Sequence, residues 1–257
     1  MEQLKQDALP VVSGQPWQGV EYFCTTRQGG VSTGPWESFN LGAHAGDDPD
    51  AVLRNRERLR ALLPGDPVWL KQVHGADVFD ADQLALSPQD DSPPVADAAI
   101  TLQAHRVLAI MTADCLPVVL ASTDGQALGI AHAGWRGLAA GVLENTLQAL
   151  RNRAPGCTQW RAWVGPAISQ SCFEVGLDVY QAFVETDPDC RPFFLPGNNP
   201  QKWQADLPGL AKQRLHQAGV NTVELSNQCS FNQADMYYSY RRDATTGRMA
   251  TLAWRTG

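Results

Sequence analysis

The stretch Val107-Leu108-Ala109-Ile110-Met111-Thr112-Ala113-Asp114-Cys115-Leu116-Pro117-Val118-Val119-Leu120-Ala121, with the segment that follows it to Gly137, decides the fold. Two short apolar runs, Val107 to Met111 and Leu116 to Ala121, flank the polar break Thr112-Ala113-Asp114-Cys115. Asp124-Gly125 is a hairpin turn signal, and Ala127 to Ala131 supplies a third run. Cys115 therefore falls at a strand junction. His132 falls at a strand end, just before a helix. Side chains at such positions converge on a shared cleft.

Outward from this centre, Asp48-Pro49 opens the helix DPDAVLRNRERLRALL with a cap residue and a proline at the first helical position. Gly137 leads into LAAGVLENTLQALRNR, where Leu138, Val142, Leu147 and Leu150 follow helical spacing. Asp206 begins DLPGLAKQRLHQAG, which Gly219 terminates. Trp160 to Val164, Val220 to Leu225, Met236 to Tyr240 and Met249 to Trp254 read as four more strands, and another precedes Thr25. Strands and hairpins interleaved with helices predict an α+β (α/β mixed) fold, a layered sandwich of mixed β-sheets flanked by helices. No internal repeat is present, and a single domain over 1–257 is expected. Leu86 to Asp97, LSPQDDSPPVAD, is acidic and proline-rich and reads as a loop, either a solvated connection or a lid.

A chain of 257 residues can bury a sizeable core, and its net charge of -7 argues against non-specific attraction to nucleic acid. Met1 to Pro10 lacks the apolar region of a secretory signal, and no apolar run approaches the roughly 20 residues that span a bilayer. Six cysteines without regular spacing suit reduced thiols. The expectation is a cytoplasmic protein, monomer or homodimer, that acts on a small molecule without nucleic acid or membrane as a partner.

Three residues look like ligands of a catalytic metal: His74 in Gln72-Val73-His74-Gly75, Cys115, and His132 in His132-Ala133-Gly134-Trp135-Arg136-Gly137. Each alone is more often a structural residue, and their separations along the chain carry no signature. Together, two imidazoles and a thiolate leave the fourth tetrahedral position of Zn²⁺ open, whereas a closed structural site takes four protein ligands. Copper binds the same donors. Asp114 and Glu174 are candidate proton carriers. A metal-free alternative uses the same groups, with Cys115 as nucleophile and His132 as its base.

Arginines next to turns are candidates for binding phosphate: Arg27 in a glycine-rich turn, Arg136 at a helix start, and Arg241 beside Arg242 after the aromatic segment. Structural ion pairs are the alternative for each. Asn40 and His44, in Phe39-Asn40-Leu41-Gly42-Ala43-His44, add polar groups near a turn. Trp36, Trp135 and Tyr240 offer faces for a base, although large aromatics more often fill core.

These segments resemble the laccase-domain proteins, a family also catalogued as polyphenol oxidoreductases and purine nucleoside phosphorylases. The likeness runs in order through Thr26-Arg27-Gln28-Gly29-Gly30-Val31-Ser32, the Phe39 to His44 segment, Gly46-Asp47-Asp48-Pro49, Gln72 to Gly75, and Ala96-Asp97-Ala98. It continues through Thr112 to Pro117, His132 to Gly137, Gly165-Pro166-Ala167-Ile168, Phe173-Glu174-Val175-Gly176, and Ser239-Tyr240-Arg241-Arg242-Asp243. Phe39 and Ser230 depart from the family's usual residues without touching the trio. The resemblance implies zinc ligands at His74, Cys115 and His132. It implies phosphorolysis of adenosine, inosine, guanosine and methylthioadenosine, and deamination of adenosine. Some bacterial members look like peptidoglycan editing amidases that remove L-serine from UDP-MurNAc-L-Ser, and the fold is similar to a deamidase with a cysteine nucleophile. A multicopper oxidase consumes about ten histidines. This chain has five, so copper-dependent polyphenol oxidation is the least favoured reading.

Overall fold

Every residue of the strand Val107–Thr112 is buried, and its two faces serve different cores. Leu108 and Ile110 pack with Val20, Tyr22, Val119, Ile130 and Trp163, whereas Val107 and Ala109 pack with Phe39, Leu41, Leu59 and Leu252. The strand Leu116–Ser122 behaves likewise, Val119 and Ala121 facing the first core and Leu116, Val118 and Leu120 a third. Burial on both faces is why these strands read as unbroken apolar runs rather than as alternation. The computed structural model describes residues 9–83, 92–197 and 199–257.

Two mixed sheets stack across that first core. One has five strands in the order Val11–Val12, Val20–Thr25, Met249–Arg255, Val107–Thr112 and Pro67–Val68, antiparallel except for the last pair. The other has six, in the order Thr222–Leu225, Trp160–Val164, Leu116–Ser122, Leu128–Ala133, Ala98–Thr101 and Val78–Asp80, with parallel pairs at both edges. Helix Pro49–Arg60 covers the outer face of the first sheet through Leu59. Helices Val142–Arg153 and Leu207–Gln217 cover the outer face of the second through Leu143, Leu147, Leu150, Leu210 and Leu215. The layers therefore run helix, sheet, sheet, helices, as the sequence predicts. A small third sheet pairs Glu174–Val175, Trp203–Ala205 and Phe194–Pro196.

The expected caps form. Asp48 accepts from the N–H of Asp50, and Asp206 from that of Gly209. Three elements differ from the sequence reading. The helix expected after Gly137 is two helices, Trp135–Ala139 and Val142–Arg153, because Gly141 sits at φ 90° and turns the chain between them. Val220 and Asn221 precede the strand at Thr222. Met236 to Tyr240 is not a strand. Tyr237 and Tyr238 are fully buried and point into the core, and the Tyr238 hydroxyl donates to the carbonyl of Trp36 at 2.5 Å, so the segment is held by side chains rather than by a ladder. Within the proline-rich loop expected at Leu86 to Asp97, residues 86–91 lie outside the described residues. Among the described residues, no helix is long and apolar enough to cross a membrane.

Candidate metal centre

His74 and Cys115 arrive from loops and His132 from the end of a strand, and one donor atom from each lies within 4.8 Å of the others. The rings of His74 and His132 meet edge to face, with centroids 4.8 Å apart. Cys115 ends the break between the two central strands, and His132 is the penultimate residue of the strand Leu128–Ala133. His74 is carried by a loop docked onto the sheet through Gln72. That side-chain amide donates to the carbonyl of Met111 and accepts from its N–H, both at 2.8 Å, in the manner of a neighbouring strand.

Asp97 organises two of the three donors. Its buried carboxylate accepts from the N–H groups of Val73 (3.1 Å), His74 (2.9 Å) and Gly75 (2.7 Å), and lies 2.8 Å from Nδ1 of His132. The contact at Nδ1 leaves the other ring nitrogen of His132 to face the trio. Carboxylate–histidine pairing of this kind is how metal-ligating histidines are oriented. Burial alone would raise the Asp97 pKa, but hydrogen bonds from His132, Gly75 and Val73 hold it below the usual carboxylate range.

The loop backbone is strained where the donors sit. His74 has φ 61° and Asp114, beside Cys115, φ 92°, left-handed conformations that cost about 1–3 kcal/mol each for residues other than glycine. Gly134 leaves room for the cluster, since a Cβ there would lie 2.9 Å from Cys115 Sγ and 3.0 Å from His74 Cδ2. Burial would raise the Cys115 thiol, but the charge and hydrogen bonds of His132 and the hydrogen bond of His74 pull it down to about 6. Burial would lower His132, but Cys115 and Asp97 lift it to about 9. A thiolate beside two imidazoles is a donor set ready for a soft or borderline cation.

The trio opens onto a cavity of about 580 Å³, also lined by His44, Gln72, Thr112, Tyr240 and Arg248. That volume suits a drug-sized or nucleoside-sized ligand. On the other side of Cys115, a hollow of about 130 Å³ is lined by Trp135, Ile168, Phe173, Tyr240 and Arg241. Burial, together with the charges of Arg248 and Arg56, lowers the pKa of His44. Asn40 does not reach the cavity wall. It is fully buried, accepts from the N–H groups of Gly42 and Arg248 at 2.9 Å, and donates to Asp47 at 3.0 Å, so it shapes the loop that presents His44 and Arg248.

The other expected residues are distributed differently. Asp114 accepts from Ser230 Oγ (2.6 Å), Ser239 Oγ (3.0 Å) and the Arg241 N–H (2.6 Å), and so ties three segments together. Arg241 donates to the Glu174 carbonyl at 2.9 Å and lies over the Phe173 ring. Glu174 lines neither hollow. Arg27 lies in another cavity, with Gln28, Glu37 and Asp235, and donates to the carbonyls of Glu37 and Ala234. Arg136 is exposed, its guanidinium 4.3 Å from the Trp135 ring centroid. The structure does not bring Arg27 or Arg136 to the cavity of the trio, because glycine-rich turns mark where the chain bends, not which hollow it faces. Sequence reasoning missed Asp97, Gly134 and Arg248. For Asp97, the only sequence signal is its place in Ala96-Asp97-Ala98.

Residues 21–256 match the family described as multi-copper polyphenol oxidoreductase laccase, and the chain belongs to that family. Among its relatives, a Xylella fastidiosa protein named purine nucleoside phosphorylase is 47% identical over 252 residues, 95% of each chain. The Escherichia coli protein named purine nucleoside phosphorylase YfiH is 44% identical over 239 residues, 92% of this chain and 94% of its own. A crystal structure of a Neisseria meningitidis protein, 41% identical, superposes with a TM-score of 0.87 over 97% of this chain and 99% of that one. The family description names several coppers, yet one group among the described residues can hold a metal ion, the His-Cys-His trio.

Proposed function

We propose that the chain is a zinc-dependent purine nucleoside phosphorylase, acting on adenosine, inosine, guanosine and methylthioadenosine, that also deaminates adenosine to inosine. The observation that carries this reading is the convergence of three donor atoms within 4.8 Å at the wall of a nucleoside-sized cavity, in a chain 44–47% identical to proteins named purine nucleoside phosphorylase. His74, Cys115 and His132 would hold the ion. Zinc held there would supply a Lewis acid.

This chain's residues account for the rest. Asp97 fixes the orientation of His132 and the conformation of the His74 loop. His44, whose pKa is lowered by partial desolvation and by Arg248 and Arg56, offers its ring nitrogens for hydrogen bonds at the purine or ribose. Tyr240, 58% exposed and shared by both hollows, presents a face on which a purine can stack. Phosphorolysis builds positive charge on the ribose, so positioning of an anion beside it dominates the barrier.

One observation favours a second reading. Cys115, His132 and Asp97 form a chain of thiol, imidazole and carboxylate, with the thiol pulled down to about 6. That is the arrangement of a cysteine-nucleophile hydrolase. An amidase acting on UDP-MurNAc-L-Ser would fall in this class. Incubation of the purified protein with inosine, with and without phosphate, and chromatographic resolution of the products separates the two. A phosphorylase releases hypoxanthine only when phosphate is present. Release of free serine from the muropeptide precursor, with inosine untouched, would establish the hydrolase.

A further inference from the structure

Arg248 is the one arginine, among the described residues, that lines the cavity of the trio, and it forms no ion pair there, Cys115 and Asp114 attracting it only from beyond contact distance. Its backbone N–H donates to Asn40 Oδ1, and its Nη1 donates to the carbonyls of Thr246 and Gly247, all at 2.9 Å. Gly42 gives its stem room, since a Cβ there would lie 2.7 Å from Arg248 Cγ. The guanidinium is thus braced on one side only. Nε and Nη2, which share the edge suited to bidentate contact with an oxyanion, have no acceptor among the described residues.

The surroundings repeat this imbalance. Arg56 donates to the Leu41 carbonyl and lies over Trp69, again with no carboxylate among the described residues. His44 feels both arginines, and Lys71 lines the same cavity. By contrast, Arg60, Arg153, Arg214 and Arg242 are each paired with a carboxylate. Partly desolvated cations gathered at one cavity, in a chain of net charge -7, favour an anionic ligand there. An independent observation points the same way. Thr112 Oγ1 lines this cavity in a residue 1% exposed, and it has no hydrogen-bond partner. A buried hydroxyl left unpaired in a native structure is waiting for a ligand or a water.

We propose that Arg248 and Thr112, with Lys71 at the rim, bind the inorganic phosphate that attacks the nucleoside. The identity of the ligand rests on the phosphorolysis reading, whereas the oxyanion site stands on the geometry. A hydrogen phosphate oxygen held by the Arg248 fork forms the bond to the anomeric carbon as the glycosidic C–N bond breaks. The electron pair leaves with the purine, and the phosphate's proton passes to a purine nitrogen.

Inorganic phosphate and, separately, inosine 5′-monophosphate are titrated calorimetrically into the zinc-loaded protein, its Arg248→Met, Arg248→Lys and Thr112→Val variants, with metal content and Tm recorded for each. Wild type should bind phosphate saturably. Arg248→Met should weaken that binding about 10- to 100-fold, the worth of losing charge-assisted hydrogen bonds, and raise the phosphate KM correspondingly at unchanged zinc content. Arg248→Lys, which keeps the charge and loses the fork, should fall between. Thr112→Val preserves shape and breaks no existing bond, so it tests the site even if Arg248→Met unfolds, with an expected loss of about 3- to 10-fold. Unchanged phosphate affinity in Thr112→Val and in either folded Arg248 variant overturns the assignment. So does binding of the nucleotide but not of free phosphate, or no saturable binding to wild type. Phosphate binding that depends on Arg248, without phosphorolysis of any purine nucleoside, sinks the functional reading and upholds the site. Phosphorolysis with an unaltered phosphate KM in Arg248→Met does the reverse.

Discussion

Oδ1 of Asp97 lies 2.8 Å from Nδ1 of His132 and also accepts the backbone N–H of His74 at 2.9 Å. One buried carboxylate thus sets the ring of one donor and the backbone of another before any ion arrives. Asp97→Asn should lower metal affinity about 10- to 100-fold, the usual cost of losing an oriented partner behind a ligand. Competition titration against a chromogenic chelator measures this. Affinity equal to wild type would show that the carboxylate does not tune the trio.

Gly134→Ala places a methyl group 2.9 Å from Cys115 Sγ and 3.0 Å from His74 Cδ2. The donors must move apart, so bound metal per chain should fall well below one while the far-UV circular dichroism is retained. Full metal loading in the alanine variant would mean that the three donors are less constrained than their packing indicates.

In metal-free protein, Cys115 should be alkylated by iodoacetamide with a pH midpoint near 6, because His132 and His74 favour its thiolate over the effect of burial. The sign follows from the charge of the nucleophile. Below the midpoint the thiol is protonated and slow, and above it the thiolate reacts. Cys24 and Cys190, which burial pushes up to about 12 and about 11, serve as slow internal references. Added metal should suppress labelling of Cys115. Peptide-resolved mass spectrometry that places its midpoint with that of an ordinary thiol would contradict the electrostatics described.

Asp114→Asn separates two roles. As the acceptor for Ser230, Ser239 and Arg241 it should lose about 2–4 kcal/mol of stability in urea melts when its charge is removed, with no change in the shape of the pH–rate profile. A carboxylate that carries the reaction's proton would instead lose one limb of that profile at nearly unchanged stability.

Cys115 and His132 are legible in the sequence because each interrupts or ends a fully apolar strand run, and a polar group has little other reason to stand there. The layered sandwich is legible for the same reason, since its central strands are buried on both faces. Asp97 is not, because aspartates in loops are common and the three N–H groups it collects belong to residues more than twenty positions away. Arg248 is invisible too. Its significance is that it lines the cavity without an ion pair among the described residues, which only the fold reveals. Met236 to Tyr240 reads as a strand from its aromatics, yet the rings of Tyr237 and Tyr238 fill the core while Asp114 holds the chain at Ser239 and Arg241.

The most direct measurement is elemental analysis of the purified protein and its Cys115→Ala variant, paired with phosphate-dependent release of hypoxanthine from inosine by the same samples. Wild type should carry close to one zinc per chain and phosphorolyse inosine, while Cys115→Ala should carry none and do neither phosphorolysis nor deamination of adenosine. Undiminished phosphorolysis by a variant shown to contain no metal would contradict the account.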